Sequence, residues 1–575
     1  MSRSALPVRL TLLAGALVLG GVPAAPPWAA PAGAPSLPAA ARPDVRLRNL
    51  ERRASPAAPA EPVVPVGAAG AAPEGAEGIS FVLQALDLTG VTAYPQGAFR
   101  DLVGGHYGAR VSLAQVYDLA AAIQRRYRDD GYFLTRVLVP PQQIVGGRVR
   151  LEVAEGRVDG IDMQDDPGAV GALVSAYLRP ITTEQPLRLA TLERCLLLAN
   201  DIPGLEVQGV LQPSPGTFGA ARLAVTVKRK KLEGLATVDN IGSTFTGNWE
   251  VAGRVAANAF TRYGESLGLT VLVSSPEQGL GGDAKNQTVG AFNGSVRLGD
   301  QGAYLNARLS YGNSNPGSII SEFDYQSTQF LASLALGYPV IRSRERNLSI
   351  DGGFDYVDGD TDVFTDVALT RDRIRTLWLT GSYDFRDRWR GSSFASLSLR
   401  QGLQALGASR SGDLLLSRAD AHGSFTSLRA TLSRLQAITN RWALYGIVAG
   451  QYAFSPVLSE EEFDVGGMDF GRGYDPKALS GDRGVGLTAE VQYTRPGPWY
   501  YLERWQGFAF FDCGSVWQSG LDLSASLSSA GGGVRAWLAQ DLTMELLVAK
   551  PLTLPSQRAD GTKDPQLLFR VIARF

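Results

Sequence analysis

The residues best suited to chemistry in this chain are scarce, and their scarcity excludes the common kinds of catalytic and metal site. Of 575 residues only two are histidines, His106 and His422, and two are cysteines, Cys195 and Cys513. So few possible ligands, widely separated in sequence, argue against a zinc site. The sequence also contains neither a Gly-x-Ser-x-Gly elbow nor a His-Glu-x-x-His pair. We therefore expect no enzymatic activity, no catalytic residue, no metal and no cofactor.

A fixed cation, Arg472, is the more informative candidate. It lies in Val465–Pro476, a stretch with four glycines that is too polar and too rich in glycine for a strand, between two segments of alternating polarity. Asp469 and Asp475 lie nearby and offer carboxylates to a metal, but aspartates beside glycine and proline are more typical of turns. Taken alone, the stretch fits either a solvated loop charge or one half of an ion pair.

The elements around this loop form a period-two pattern that runs from residue 230 to residue 575. In Leu305–Tyr311, for example, apolar residues alternate with Asn306, Arg308 and Ser310. No segment after the N-terminal region is apolar for long enough to span a bilayer as a helix, so any crossing must use strands. Strands of ~10 residues with their turns correspond to about sixteen over this length. The alternating segment Phe569–Phe575 suits a strand that closes a barrel.

The N-terminal region shows features of export. Residues 1–30 combine Arg3 and Arg9 with an apolar run that is too short to span a bilayer, which is typical of a secretory signal, with an uncleaved anchor as the alternative. Residues 31–78, rich in alanine, proline and glycine, predict an unpacked linker. Within this linker, 43–53 is a charged island of helix formers. It is either a solvated fragment or a polar helix suited to a water-filled pore.

Residues 79–155 and 156–229 predict two similar α+β modules in tandem. Ser112 and Gln115 form a capping box at the start of an amphipathic helix that ends at Gly131. Each module should expose a strand edge beside its longer helix. Such an edge can accept a further strand from another chain.

With this architecture the chain resembles the outer-membrane transporters of two-partner secretion, the haemolysin secretion and activation family within the Omp85 superfamily. Tyr127–Val137 is similar to the family's Tyr-x-x-x-Gly-Tyr segment, Gly471–Tyr474 to the tip of its sixth extracellular loop, and Gly507–Gly514 to a paired signature on a later strand. Gly471 departs from the valine that the family often has there. The residues that carry the resemblance are Tyr127, Gly131 and Tyr132 in the first module, Gly471, Arg472, Gly473 and Tyr474 in the loop, and Gly507, Phe508, Phe510, Asp512 and Gly514 in the strand.

The resemblance implies a transmembrane antiparallel β-barrel of about 16 strands in a Gram-negative outer membrane, preceded by two periplasmic α+β POTRA domains. It implies that the sixth loop folds into the lumen, where Arg472 meets Asp512, and that 43–53 occupies the position of the family's plug helix. The implied client is a large secreted β-helical exoprotein that the POTRA domains bind, that crosses unfolded and that folds outside. The other implied partner is membrane lipid, and the protein is expected to be a monomer.

The main alternative is an assembly factor of the same superfamily, which delivers other barrels to the membrane. Two modules favour the transporter, because assembly factors usually carry more, and a diffusion porin would have no use for periplasmic modules. The balance of 55 basic and 56 acidic residues indicates neither nucleic-acid binding nor a polyacidic partner. The sequence does not identify the client.

Overall fold

The computed structural model of the chain describes residues 37–43, 72–214, 219–275, 286–317, 320, 323–364, 367–519, 523–538, 541–556 and 561–575. The predicted signal segment 1–30, most of the linker and residues 44–53 of the predicted plug lie outside the described residues. Within 37–43 there is one 3-10 turn, Ala39–Ala41. None of the helices in the described ranges is long and apolar enough to cross a membrane.

The first module packs one long helix against a three-stranded sheet. Its elements are β1 (Ser80–Val82), β2 (Ala85–Thr89), α1 (Arg100–Val103), β3 (Arg110–Ser112), α2 (Leu113–Asp129), β4 (Arg136–Leu138) and β5 (Arg148–Ala154). Helix α2 begins with the capping box that the sequence predicts, because Ser112 and Gln115 each accept a hydrogen bond from the other's backbone N–H. The sheet order is β2–β5–β4, so β4 is an edge strand of only three residues.

The second module repeats the plan with two helices over a sheet of order β6–β8–β7. Its elements are β6 (Arg157–Met163), α3 (Gly171–Thr183), α4 (Leu189–Asn200), β7 (Leu205–Pro213) and β8 (Ala220–Arg229). Cys195 lies on the apolar face of α4 in the module's core, where burial raises the pKa of its thiol to about 12. It is a packing residue, and both cysteines are free thiols.

The remaining chain forms a closed antiparallel barrel, which confirms the predicted fold class. The first eleven strands are β9 (Leu232–Asp239), β10 (Trp249–Asn258), β11 (Ser266–Ser275), β12 (Gln287–Leu298), β13 (Ala303–Ser314), β14 (Gln326–Arg342), β15 (Arg346–Val363), β16 (Val367–Arg386), β17 (Gly391–Gly402), β18 (Thr426–Ala437) and β19 (Trp442–Ala453). A long loop with β20 (Phe463–Val465), α5 (Gly467–Phe470) and β21 (Leu479–Gly481) follows, and then β22 (Arg483–Pro496), β23 (Leu502–Gln518), β24 (Leu523–Leu538), β25 (Leu542–Pro551) and β26 (Gln566–Arg574). With β20 and β21 set aside, sixteen strands close the circle.

Alternation along the strands separates an apolar outer wall from a polar lumen. In β22, Val485 and Val491 face outward and are 40% and 43% exposed, whereas Thr488 and Glu490 face inward and are buried. The last strand closes the barrel as predicted, through five residue pairs between β26 and β9. This seam is the shortest ladder of the barrel.

The second module is docked on the barrel's near-end turns. Arg342, at the end of β14, donates from Nη2 and Nε to the two oxygens of Asp201 at 2.6 and 2.8 Å. Arg194 of α4 donates to the carbonyl oxygen of Pro339 at 3.1 Å, and Arg179 of α3 pairs with Asp300 at 2.7 Å. The helices of this module therefore lie against the turn after β12 and the end of β14. The barrel end that carries these turns, here called the near end, is the one that faces the modules.

Candidate functional site

Residues 454–482, which join β19 to β22 at the far end of the barrel and are here called loop 6, turn back into the lumen. The reversal depends on Gly466, Gly467 and Gly471, whose φ angles of 117°, 68° and 153° are ones that residues with side chains rarely adopt. Strands β20 and β21 pair at the neck of the loop. An apolar cluster then packs the loop against the wall: Val465, Phe470, Tyr474, Val516 and Leu527.

The structure brings Arg472 into contact with Asp512. Its Nη2 and Nε donate to the two carboxylate oxygens at 3.1 and 3.2 Å, and its backbone N–H donates to Oδ2 at 3.1 Å. The Ser529 hydroxyl donates to the same carboxylate at 3.3 Å, and the Thr488 hydroxyl, whose one hydrogen is shared with the Asp469 carbonyl oxygen, lies 3.0 Å from it. The Arg472 side chain is 4% exposed and that of Asp512 is 0% exposed. The planar guanidinium matches the carboxylate bidentately, so the contact is a buried anchor for the loop.

Sequence reasoning missed the second half of this cluster. Arg472 Nη1 also donates to Glu490 Oε2 at 3.0 Å, and Arg535 donates to both oxygens of Glu490 at 2.6 and 3.1 Å. Arg535 then reaches Glu545 at 2.8 Å. Alternating charges thus run from Asp512 through the loop to β22, β24 and β25. In the sequence, the alternation of β22 predicts only that Glu490 points into the lumen. It does not predict which inward residues of the neighbouring strands lie at the same height in the barrel.

The two signature phenylalanines support the two arginines of this cluster. The Arg472 guanidinium carbon lies 3.7 Å from the ring centre of Phe510, and that of Arg535 lies 3.8 Å from the ring centre of Phe508. Residues two apart in a strand share a face, which places both rings in the lumen. Each cation therefore has carboxylates at its edge and an aromatic face beneath it, a contact that is favourable where water is excluded.

The remaining signature residues fall into two groups. An added Cβ on Gly473 would lie 2.8 Å from the backbone nitrogen of Pro551, and one on Gly514 would lie 2.5 Å from Val465 Cγ1, so both glycines permit close approach of the loop to the wall. The Tyr474 hydroxyl donates to the carbonyl oxygen of Ser528 at 3.0 Å. A Cβ added to Gly507 would come within 4 Å of the Trp505 ring alone, so this glycine is not needed for close approach of the loop.

The acidic residues beside Arg472 have contacts with neighbouring loops and strands. The backbone carbonyl of Asp469 accepts a hydrogen bond from Thr488 at 2.5 Å. The carboxylate of Asp475 accepts from the backbone N–H and the hydroxyl of Thr244 at 2.9 and 2.5 Å. Asp475 thereby connects loop 6 to the loop between β9 and β10. This contact is a structural role within loops, which is the role that the sequence favours over metal binding.

Three consecutive glutamates hold the outer part of loop 6. They contact the N-terminal segment, the barrel wall and the loop between β17 and β18 respectively. The ion pairs are Arg42–Glu460 at 3.6 Å, Arg400–Glu461 at 2.8 Å and Arg418–Glu462 at 3.0 Å. The lumen contains a cavity of about 540 Å³ that is lined by loop 6 and by inward residues of the barrel wall. Loop 6 is therefore held at its outer part by three separate ion pairs and borders an open cavity of the lumen.

The signature of the first module lies at its junction with the second. The Tyr127 hydroxyl donates to Glu155 at 2.8 Å, and Gly131, with φ of 93°, ends the turn after α2 and accepts a hydrogen bond from the backbone of Leu189 at 2.9 Å. The Tyr132 hydroxyl accepts from Arg188 Nη2 at 2.8 Å. These residues join the modules and do not line the lumen cluster.

A closed sixteen-stranded barrel with an inward-folded Arg-Gly-Tyr loop and POTRA-type modules defines an outer-membrane protein of the Omp85 superfamily. A family model described as haemolysin secretion/activation protein ShlB/FhaC/HecB matches residues 219–536, and one for the ShlB-type POTRA domain matches residues 81–156. The first match covers more than half of the chain. The chain belongs to the ShlB/FhaC/HecB family.

Individual relatives agree with this assignment. The chain is 26% identical over 475 residues to the heme/hemopexin transporter protein HuxB of Haemophilus influenzae, covering 80% of this chain and 81% of that protein. It is 22% identical over 493 residues to the outer membrane transporter CdiB of Dickeya dadantii, covering 82% and 84%. In fold it is similar to CdiB from Escherichia coli, with a TM-score of 0.71, 18% identity and coverage of 92% and 95%. CdiB from Acinetobacter baumannii has a TM-score of 0.63, 16% identity and coverage of 92% and 96%.

Family membership decides between the functions that the sequence left open. The protein is an outer-membrane transporter of two-partner secretion, which moves a partner exoprotein from the periplasm to the cell surface, and its POTRA-type modules lie in the periplasm. The family is one of secretion and not of barrel assembly, so the assembly-factor alternative is not supported.

Proposed function

We propose that loop 6, anchored by Arg472, is the lumen element on which passage of the client depends, and that the protein acts as a monomeric conduit without enzymatic activity. The observation that supports this is the buried cluster of Arg472 with Asp512 and Glu490, in which the side chains are at most 4% exposed. A cation placed between two carboxylates in a pore wall fixes the loop in one position. The client then travels past a loop of defined shape.

Substitutions in cells test this role. Arg472→Ala leaves the buried Asp512 carboxylate without its cation, and Asp512→Ala removes the bidentate and backbone contacts of Arg472, which keeps only Glu490. We therefore expect barrels that assemble and export little of the partner exoprotein. Asp469→Ala is the matched control, because only the backbone of that residue contacts the wall. Assembly is read from heat-modifiable mobility in gels and export from the partner protein in the medium. Normal export by both charge variants would overturn the proposal.

We propose further that the client binds the periplasmic modules by adding a strand to β7. Strand β7 is nine residues long and pairs only with β8, whereas β4 of the first module has three residues. The side chain of Asn200 already bonds the backbone N–H and C=O of Val207, at 2.8 and 2.6 Å. Since backbone groups of alternate residues point to the same edge, Gly209 and Leu211 are the positions that a client strand would meet.

A proline at the open edge of β7 removes a backbone donor that a client strand would need. Gly209→Pro removes an edge N–H and no hydrogen bond of the β7–β8 ladder, but a Cβ there would lie 3.0 Å from Leu196 and 3.1 Å from Leu223. Folding of the module is therefore measured separately by limited proteolysis, and we expect weaker export from a module that stays protease-resistant. Gln208→Ala, one residue earlier on the exposed face, should export normally. Unimpaired export by Gly209→Pro would exclude strand addition at this edge.

The N-terminal segment supports a plug that includes residues 43–53. Gln287 donates to the carbonyl oxygen of Pro43 at 2.9 Å, and Ser314 donates to that of Ala41 at 2.6 Å. We propose that the segment enters the lumen and restricts it. Deletion of 43–53 should raise conductance in planar bilayers, and unchanged conductance would count against a plug.

A further inference from the structure

The near-end rim of the barrel differs between its two sides. On the side that carries the second module, rim arginines are paired, as in Arg342–Asp201 at 2.6 Å and Arg344–Glu193 at 3.8 Å. On the other side, the turns after β16 and β18 and the near ends of β19, β22 and β23 carry exposed arginines and exposed or half-buried aromatic residues. We call this group the arginine–aromatic belt, and it comprises Arg388, Trp389, Arg390, Arg441, Trp442, Tyr493, Arg495 and Trp505.

The aromatic members of the belt form a row across neighbouring strands of the outer wall. Ring centres of Trp442 and Tyr493 are 4.8 Å apart, and those of Tyr493 and Trp505 are 6.0 Å apart. Tyr493 lies two residues beyond Val491, which is outward and 43% exposed, so the row faces lipid. Tryptophan and tyrosine in such a row sit at the level of lipid headgroups.

The cations of the belt lie at the periplasmic end of this row. Arg495 is opposite Trp505 in the ladder, and Arg441 immediately precedes Trp442. Arg390 donates to Asn440 at 2.8 Å, which joins the turn after β16 to the turn after β18. Among the described residues, Arg388, Arg441 and Arg495 have no ion-pair partner. Asp387, the nearest carboxylate in the turn after β16, is paired with Arg434 at 2.8 Å.

We propose that the belt is a binding site for anionic phospholipids of the periplasmic leaflet, such as cardiolipin or phosphatidylglycerol. Exposed guanidinium groups suit phosphate, to which arginine donates bidentately. The aromatic row beside them suits the boundary between headgroup and acyl chain. The outward direction of the row favours lipid over a client in transit, which would travel through the lumen.

The position of the belt gives the bound lipid a structural consequence. Strands β19 and β22 flank loop 6, and β23 carries Asp512, the anchor of Arg472. A lipid held across the periplasmic ends of these strands ties together the part of the wall on which loop 6 is fixed.

Native mass spectrometry of the full-length protein, titrated with cardiolipin in detergent, tests the site. Each arginine near an anionic lipid changes affinity by about fivefold, so Arg441→Gln with Arg495→Gln should weaken binding by about thirtyfold. The control is Arg125→Gln with Arg128→Gln, which removes the same charge from exposed positions of the first module. Arg441→Lys with Arg495→Lys keeps the charge and should retain most of the binding.

Two results would overturn the proposal. One is equal cardiolipin binding by the double glutamine variant and by the control, with both barrels folded by heat-modifiable mobility. The other is equal affinity of the wild-type protein for cardiolipin and for zwitterionic phosphatidylethanolamine. Loss of export in the double glutamine variant with unchanged lipid binding would assign the belt to the client instead.

Discussion

Arg472 is held by two carboxylates and one ring, and this decides what its substitution does. The guanidinium group and the backbone N–H of Arg472 both donate to Asp512. Arg472 Nη1 lies 3.0 Å from Glu490 Oε2, and the Phe510 ring lies beneath the guanidinium group. Removing one member of a buried ion pair costs about 3–5 kcal/mol, because the other charge stays in place without compensation. Here Asp512 loses its cation, whereas Glu490 loses one of two and keeps Arg535 at 2.6 Å.

Exchange of the two partners should therefore fail. In the double variant Arg472→Asp with Asp512→Arg, the new carboxylate in the loop would face Glu490, and the backbone hydrogen bond from residue 472 would lose its acceptor. We expect export to stay as low as in the single variants when the partner exoprotein is measured in the medium. Recovery to the wild-type level would show that Glu490 has no influence on the anchor.

Glu155 makes the first module sensitive to acid. Burial alone would raise the pKa of its carboxyl, but hydrogen bonds from the backbone of Ala93 and Thr92 and from the hydroxyls of Thr92 and Tyr127 outweigh burial and lower it. A lowered pKa in the folded state means that this stabilisation is present above the ordinary glutamate pKa of about 4.3 and is lost as the pH falls through the folded value.

Glu155→Gln should accordingly lose stability at neutral pH and lose its difference from wild type in acid. We expect the free energy of unfolding of the variant to be about 1–2 kcal/mol lower than that of the wild type at pH 7, because hydrogen bonds to a charged acceptor are replaced by weaker ones. Scanning calorimetry of the full-length protein at pH 7 and at about pH 2, well below the ordinary glutamate pKa, measures this in the module's own transition. A destabilisation of equal size at both values would contradict the assignment.

At the scale of elements, the signature glycines differ in how much loop 6 depends on them. A Cβ on Gly473 would meet backbone atoms of Pro551 and Lys550 at 2.8 and 3.0 Å, and backbone cannot rotate away. A Cβ on Gly507, which belongs to the paired strand signature, would lie 3.6 Å from the Trp505 ring, an ordinary van der Waals distance. The φ angle of Gly507 is one that other residues adopt as well.

We expect Gly473→Ala to push the loop from the wall and Gly507→Ala to leave it in place. Protease added to intact cells should cut loop 6 in the first variant and spare it in the second. Equal protection of loop 6 in both variants would mean that the wall adjusts to the added methyl group.

The elements and the cluster were predictable to different degrees. The sequence predicted helix α2 from Ser112 and Gln115 because capping is a local interaction. The pairing of Arg472 with Asp512 came from resemblance, since the two are forty positions apart and nothing local relates them. Glu490 and Arg535 could not be predicted, because their contact depends on the register of β22, β23 and β24, which period-two patterning does not determine.

At the scale of the whole molecule, the outer mouth is closed by contacts separate from the Arg472 anchor. Arg418, from the loop between β17 and β18, pairs with Glu462 at 3.0 Å and Asp482 at 2.5 Å. An apolar group that includes Phe425 and Leu458 packs beside it. The two loops therefore form one cover over the lumen.

Arg418→Gln should loosen this cover without disturbing the anchor below. We expect a higher mean conductance in planar bilayers, together with unchanged heat-modifiable mobility. Arg410→Gln in the same loop is the control, because the Arg410 side chain is exposed. Identical conductance of the two variants would place the closing contacts elsewhere.

The seam between β9 and β26 has a consequence for how the barrel fluctuates. Its five residue pairs compare with eight or more in each other ladder, and Asp239–Arg570 at 3.0 Å is its buried ion pair. The free energy of local opening follows the number of contacts that must be broken, so the two terminal strands should exchange their amide hydrogens before any other strands do. Local opening of the barrel should therefore occur first at the seam between its first strand, β9, and its last strand, β26.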